Sequence, residues 1–232
     1  MTDYLSNDLK TLRLGSIVPN FELRTQSDDN QSKSFNSFYD LINLQWSILF
    51  SHPADFTPVC TTELSTLASL SDQFDQLGFK LIGLSCDDVK SHDDWIKDIN
   101  KTFNVDLKFP IIADQDRKVA TLFDMLDQQD LSNRDSKGLP LTVRSVFIID
   151  PNKTIRLILQ YPTTIGRNFD EILRVCRALK LTDLRPISTP ANWKPNDKVI
   201  INNSLTDDQA FESFGGKDNV EFKTPYLRLT TL

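Results

Sequence analysis

The feature that most constrains this chain is an apolar run, Trp46-Ser47-Ile48-Leu49-Phe50, that gives way at once to Ser51-His52-Pro53-Ala54-Asp55-Phe56-Thr57-Pro58-Val59-Cys60-Thr61-Thr62-Glu63-Leu64. A near-continuous apolar run reads as a strand buried on both faces. Beyond it Leu64, Leu67, Leu70, Phe74 and Leu77 recur at steps of three and four, which is one face of a helix. Gly78 stands at a suitable stop. The fold must therefore place Cys60 where a buried strand becomes a helix. Unpaired N–H groups and the macrodipole at a helix N-terminus favour negative charge. A thiol there ionises more readily and becomes a nucleophile.

The rest of the chain alternates in the same manner. Lys80-Leu81-Ile82-Gly83-Leu84-Ser85 reads as a second buried parallel strand. Ser91 to Phe103 predicts a helix with Trp95, Ile96, Ile99 and Phe103 as its buried stripe, and the acids Asp87, Asp88, Asp93 and Asp94 read as capping and dipole partners. Phe21-Glu22-Leu23 and Phe109-Pro110-Ile111-Ile112 suggest short strands, Ser27 to Ser34 a loop, and Asp116 to Leu126 a helix. Val146–Asp150 and Thr154–Leu159 read as strand, turn and strand around Pro151-Asn152, and Asn168–Leu179 as a long helix. Pro186, Pro190 and Pro195 then break regular structure. These signals divide the chain near Thr182, into 1–181 and a small C-terminal part, 182–232, with a strand at Lys198–Ile201 and a helix near Asp207–Phe214.

Composition narrows the chemistry. A net charge of −6 gives no electrostatic reason to expect nucleic acid or an anionic membrane as partner, and no extended apolar span appears. Met1-Thr2-Asp3-Tyr4-Leu5 lacks a secretory pattern and is not Arg-rich, so the expectation is cytoplasmic. Three cysteines, Cys60, Cys86 and Cys176, with no C-x-x-C spacing, argue against a disulfide framework or a zinc ribbon. His52 and His92 are the only histidines, and neither stands in a dense ligand cluster in sequence. No metal and no cofactor are expected.

A sulfur that splits a peroxide bond needs a thiolate, stabilisation for the departing oxygen, and a shielded pocket. Cys60 supplies the nucleophile. Thr57, one turn earlier, can bring its hydroxyl beside sulfur and peroxide, and Pro53 can pack over the thiol. Arg144, just before Val146-Phe147-Ile148-Ile149, is the best candidate for a fixed positive charge, which would favour the thiolate and steady the breaking O–O bond.

Pro53-x-x-x-Thr57-x-x-Cys60 resembles the peroxiredoxin signature, and the string from His52 to Leu64 is similar to the one-cysteine, peroxiredoxin-6-like branch. Phe109-Pro110-Ile111-Ile112, Thr142-Val143-Arg144 and Tyr161-Pro162-Thr163-Thr164-Ile165-Gly166-Arg167-Asn168-Phe169-Asp170 extend the resemblance, which runs from about Leu14 to the C-terminus. It implies an α/β, thioredoxin-like fold: a central mixed β-sheet flanked by helices, with a small C-terminal α+β extension that serves as a dimerisation arm. It implies a thiol-specific peroxidase for hydrogen peroxide and organic hydroperoxides, acting in antioxidant defence and redox homeostasis, and a homodimer. Cys60 would be the peroxidatic residue, with Pro53, Thr57 and Arg144 completing the site. Glu63 would orient the arginine, Arg167 would add a second positive charge, and His52 would sit beside the cysteine, able to hydrogen-bond to it.

Two departures from relatives are informative. Where two-cysteine members carry a resolving cysteine, Ile187-Ser188-Thr189-Pro190-Ala191-Asn192-Trp193 has Thr189. The sulfenic acid must then be reduced from outside, by glutathione with a glutathione transferase, thioredoxin or ascorbate. Where some one-cysteine members carry a lipase serine, this chain has Gln45, which is no acyl-transfer nucleophile. Cys86 and Cys176 read as buried packing thiols. The alternative is a peroxide sensor that reports Cys60 oxidation through a bound partner. A thiol–disulfide oxidoreductase is the weaker third reading, because Thr57 stands where C-x-x-C needs a cysteine.

Overall fold

The computed structural model describes residues 11–23 and 37–232, and the loop expected over Ser27–Ser34 lies outside them. The chain divides into two compact units, one ending at Arg167 and one spanning Asn168–Leu232. Thr182, near which the sequence divides the chain, lies in the helix Phe169–Leu184.

The first unit opens its regular structure with α1 (Phe38–Ile42), closed at its start by a reciprocal Ser37–Asp40 capping box. Five strands then form one sheet: β1 (Trp46–Ser51), β2 (Phe79–Ser85), β3 (Ile111–Ala113), β4 (Arg144–Ile149) and β5 (Ile155–Tyr161), in the order β3-β2-β1-β4-β5. β1, β2 and β3 pair in parallel, while β1–β4 and β4–β5 pair antiparallel. Parallel neighbours need long crossovers. α2 (Pro58–Gln76) and α3 (Val89–Phe103) supply them.

The sheet is mixed, and the apolar runs are continuous because both of its faces are covered. Leu49, Ile82, Leu84, Ile112, Phe147 and Ile149 share a cluster with Phe38, Leu41, Val119, Ala120 and Phe123. Their chain neighbours Ile48, Phe50, Leu81, Ile111, Val146 and Ile148 are buried too. The two-residue period of a strand sends these to the opposite face.

Three expectations change. The helix expected over 116–126 shrinks to α4 (Lys118–Leu122). The Asp114 carboxylate accepts from the Val119 and Ala120 N–H groups at 3.0 and 2.7 Å and fixes its start. Asp124, at φ 51°, turns the chain out of the helix. The buried stripe of α3 is His92, Trp95 and Ile99, whereas Phe103 is 43% exposed at the helix end. The strand expected at Phe21–Leu23 is a single bridge between Glu22 and Ser37.

The second unit has its own core. α5 (Phe169–Leu184) is capped by the Asn168 side chain, which accepts from the Glu171 N–H. β6 (Ile187–Ser188), β7 (Val199–Ile201), α6 (Asp207–Ser213), β8 (Glu221–Thr224) and β9 (Leu227–Thr230) follow. The strands form an antiparallel sheet in the order β6-β7-β9-β8. Ile187, Trp193, Val199, Ile201, Ala210, Phe214 and Val220 pack together inside this unit. No helix among the described residues is long and apolar enough to cross a membrane.

Candidate active site at the first turn of helix α2

β1 delivers the chain to Ser51, and the six residues that follow turn it into α2. Phe56 takes φ 54° at this turn. Thr57 is the extended N-cap and Pro58 the first helical residue, the position where a missing N–H costs nothing. Cys60 is therefore in the first turn of the helix, and it is fully buried. The Thr57 hydroxyl makes no capping bond; it donates to the Ala54 carbonyl at 2.8 Å. With its proton committed there, the Thr57 oxygen keeps lone pairs that can accept a hydrogen bond from a bound O–H group. Pro53 is buried in the same segment.

The antiparallel register Phe50↔Val146 carries Arg144 to this end of the sheet. Its Nη1 donates to the Cys60 sulfur at 3.4 Å and to Glu63 Oε2 at 2.7 Å. Nε and Nη2 are held by the Thr163 carbonyl at 2.9 and 2.6 Å, so the fork is fixed on both sides. Glu63 also takes the Nη2, Nε and backbone N–H of Arg167, at 2.7, 3.0 and 2.8 Å. The Nη1 of Arg167 is spent on the Ser51 and Ser145 carbonyls, both at 2.9 Å. Burial alone would raise the Glu63 carboxyl. The Arg167 charge and hydrogen bonds, with Arg144 behind them, hold it below the ordinary value. Two arginines thus share one carboxylate, and the surplus positive charge faces a sulfur.

The Nε2 of His52 lies 2.8 Å from Asp55 Oδ1, and its Nδ1 has no hydrogen-bond partner among the described residues. Asp55 Oδ2 lies 2.7 Å from His92 Nδ1 and accepts from the Ser91 hydroxyl at 2.7 Å. The two histidines that stand apart in sequence therefore converge on one buried carboxylate, which the sequence reading missed. Burial would raise Asp55, but its bonds to His52 and His92 hold it well below the carboxylate range. This trio has the composition of a metal-ligating set. Its N···O spacings are those of hydrogen bonds rather than of ligands about a shared ion. The signal available in sequence was only that His92 falls on the buried face with Trp95 and Ile99.

Cys86 and Cys176 are free and buried. Burial pushes the Cys86 thiol up to about 12 and raises Cys176 further still. Neither is poised to act as a nucleophile.

Comparison with known proteins follows the same lines. A family profile described as the AhpC/TSA family matches residues 14–158, and one described as the C-terminal domain of 1-Cys peroxiredoxin matches residues 178–217. The chain is 48% identical over 228 residues to a mitochondrial peroxiredoxin of Saccharomyces cerevisiae, covering 98% of this chain and 84% of that one. It is 44% identical to peroxiredoxin-6 of Homo sapiens, with 88% of each covered. Among solved structures, a mutant of peroxiredoxin 6 from Arenicola marina superposes with a TM-score of 0.84 at 41% identity, over 95% of this chain and 98% of that one. A yeast mitochondrial one-cysteine peroxiredoxin, whose structure addresses thiol resolution via the glutathione and thioredoxin systems, gives 0.81 at 46%, over 96% and 100%.

Proposed function

This chain belongs to the AhpC/TSA family as a one-cysteine peroxiredoxin, a thiol-dependent peroxidase, and from that premise we propose that Cys60 is the sulfur that reacts. The observation that carries the assignment is the Arg144 Nη1 at 3.4 Å from Sγ, in the first turn of α2. The Cys60 thiolate attacks one oxygen of the hydroperoxide. An S–O bond forms, the O–O bond breaks, and the departing oxygen leaves with the bonding electrons and takes a proton as water or alcohol. Arg144 stabilises the charge that grows on that oxygen, Thr57 accepts from the peroxide O–H, and Pro53 encloses the pocket. Glu63 and Arg167 hold Arg144 in place.

Cys60 becomes a sulfenic acid. With Cys86 and Cys176 buried and protonated, reduction comes from outside. One external thiol displaces water to give a mixed disulfide, and a second releases Cys60 as a thiol. The yeast relative's association with glutathione and thioredoxin makes these the first donors to test. Free thiols suit a reducing compartment, so the cytoplasm and the mitochondrion both fit. In stopped flow, reduced protein should consume one equivalent of peroxide rapidly, Cys60→Ser should consume none, and Cys86→Ser/Cys176→Ser should match wild type. Rapid consumption by Cys60→Ser would reject the assignment.

A homodimer belongs to the same reading. β5 is an edge strand of the first sheet, with Leu157, Ile158 and Leu159 only half-buried. An unpaired apolar edge is a template for a second copy of itself. Sedimentation velocity on the reduced protein should give twice the chain mass, and a monomer at all concentrations would remove this part. A peroxidase part, 1–181, and a C-terminal arm, 182–232, belong to the same reading, and the separate C-terminal family match over 178–217 favours it.

A further inference from the structure

The peroxidase reading uses Arg144, Glu63 and Arg167 but leaves a second buried ionic cluster without work. Asp55 lies between Pro53 and Thr57 in the segment that feeds Cys60 into α2. Its side chain is 1% exposed and accepts three hydrogen bonds, from His52, His92 and Ser91. Its own N–H donates to the Asp87 carboxylate at 2.9 Å, and Asp87 in turn accepts from the Ser85 hydroxyl at 2.8 Å. The loop before the cysteine is thereby tied to the end of β2 and the start of α3.

The same face of α3 also reaches the first turns of α2. Trp95, one turn beyond His92, donates its indole N–H to the Thr61 hydroxyl at 3.2 Å, next to Cys60 on α2. Its ring packs against the His52 ring, with centroids 5.0 Å apart. Ser91 and His92 thus hold the loop before Cys60, and Trp95 holds the helix after it.

The protons can be counted. An ionised Asp55 only accepts, so the nitrogens facing it, His52 Nε2 and His92 Nδ1, carry hydrogens. The second nitrogens, His52 Nδ1 and His92 Nε2, are buried with no hydrogen-bond partner among the described residues. Leaving two such atoms unpaired is costly. A brace made only for stability would be better built from apolar side chains. Buried polar constellations of this kind hold a geometry that packing alone leaves loose.

We infer that Asp55, gripped by His52 and His92, is a positioning residue for the peroxidase site: it pins the segment His52–Thr57 to α3 and so sets Thr57 and Pro53 against the Cys60 sulfur. His92, which touches no reacting atom, acts through Asp55. This inference rests on the assignment of Cys60 as the peroxidatic residue. A peroxide must meet Sγ, Thr57 and Arg144 together, and misplacement of one partner by an ångström costs on the order of 100-fold in rate. An alkylating agent such as iodoacetamide needs only the sulfur.

The test measures both rates on the same thiol. His92→Leu removes the donor to Asp55, His92→Asn restores an N–H at the position of Nδ1, and Ser91→Ala removes one hydroxyl bond while sparing the core. His92→Leu should slow oxidation by hydrogen peroxide by about 10- to 100-fold without slowing alkylation. His92→Asn should recover most of the loss, and Ser91→Ala should fall between the two. Wild-type peroxide kinetics in folded His92→Leu, or an equal fall in both rates that His92→Asn does not rescue, overturns the inference. Should His92→Leu fail to fold, unchanged peroxide kinetics in Ser91→Ala with no rescue pattern overturns it as well. Failure of the underlying assignment looks different: wild type and Cys60→Ser would then react with peroxide alike.

Discussion

Two buried carboxylates flank Cys60 in the chain, and they solve the same problem with opposite partners. Glu63, on α2, is held by Arg144 and Arg167. Asp55, on the preceding loop, is held by His52 and His92. Both are pushed upward by burial and pulled below the ordinary carboxylate range by their partners. The partners differ in what they can give up. Arginine keeps its proton at every usable pH, so the Glu63 cluster carries a permanent surplus positive charge, which is presented to the sulfur. A neutral imidazole still has an N–H to donate, so a carboxylate held by His52 and His92 needs no fixed positive charge beside it. The first cluster is suited to electrostatics at the Cys60 sulfur and the second to holding a loop.

The sharpest way to break this contrast is to remove each carboxylate. Glu63→Gln leaves two buried guanidinium groups sharing a neutral amide. Breaking a buried pair while its partners stay charged costs about 3 to 5 kcal/mol. Asp55→Asn keeps an amide oxygen that still accepts from one imidazole N–H. Its cost is that of an impaired buried hydrogen bond, about 1 to 3 kcal/mol. Urea unfolding at neutral pH should therefore rank Glu63→Gln below Asp55→Asn in stability. Equal losses, or the reverse order, would mean that the arginines are solvated enough to tolerate the missing charge and that the two clusters are not different in kind.

The difference between the clusters also explains what the sequence could tell. β1, β2 and α2 were legible because their signals are local: continuous apolar runs and a three-and-four spacing ending at Gly78. Cys60, Thr57, Pro53 and Arg144 stand out in the sequence because the proposed chemistry needs those residue types and the resemblance picks them out. The structure brings the Arg144 guanidinium to 3.4 Å from the Cys60 sulfur. Asp55 and His92 were not legible. Their bond crosses from a loop to a helix face, and His92 sits at an ordinary core position of α3, where its only sequence signal is its phase with Trp95 and Ile99. β8 and β9 were missed for another reason. Glu221-Phe222-Lys223-Thr224 has no buried residue and is weakly patterned. In β9 the inward residues are Arg228 and Thr230, and Arg228, 3% exposed, pairs with Asp207 and the Asn202 and Leu205 carbonyls, so its charge disguises a buried position.

A finer probe of the same contrast is how each loss varies with pH. Glu63 has a folded value depressed below its ordinary 4.5, so the fold favours its ionised form. Its contribution is whole above pH 4.5 and is lost as the pH falls through the lowered folded value. Glu63→Gln lacks that group. The gap in unfolding free energy between wild type and Glu63→Gln should then be flat from about pH 5 to 8, because the arginines do not titrate there, and should close as acid protonates Glu63 in wild type. For Asp55 the sign is the same, and the acid window begins lower, at its ordinary 3.8. Its gap should begin to close only below that value, so it should survive into more acid solution than the Glu63 gap. Urea titrations of the three proteins at steps of pH would show two level lines whose acid falls begin at different pH. A Glu63 gap that bends near neutrality would place a titrating group in contact with that carboxylate, and the reading of the Glu63 cluster as a fixed electrostatic one would fail.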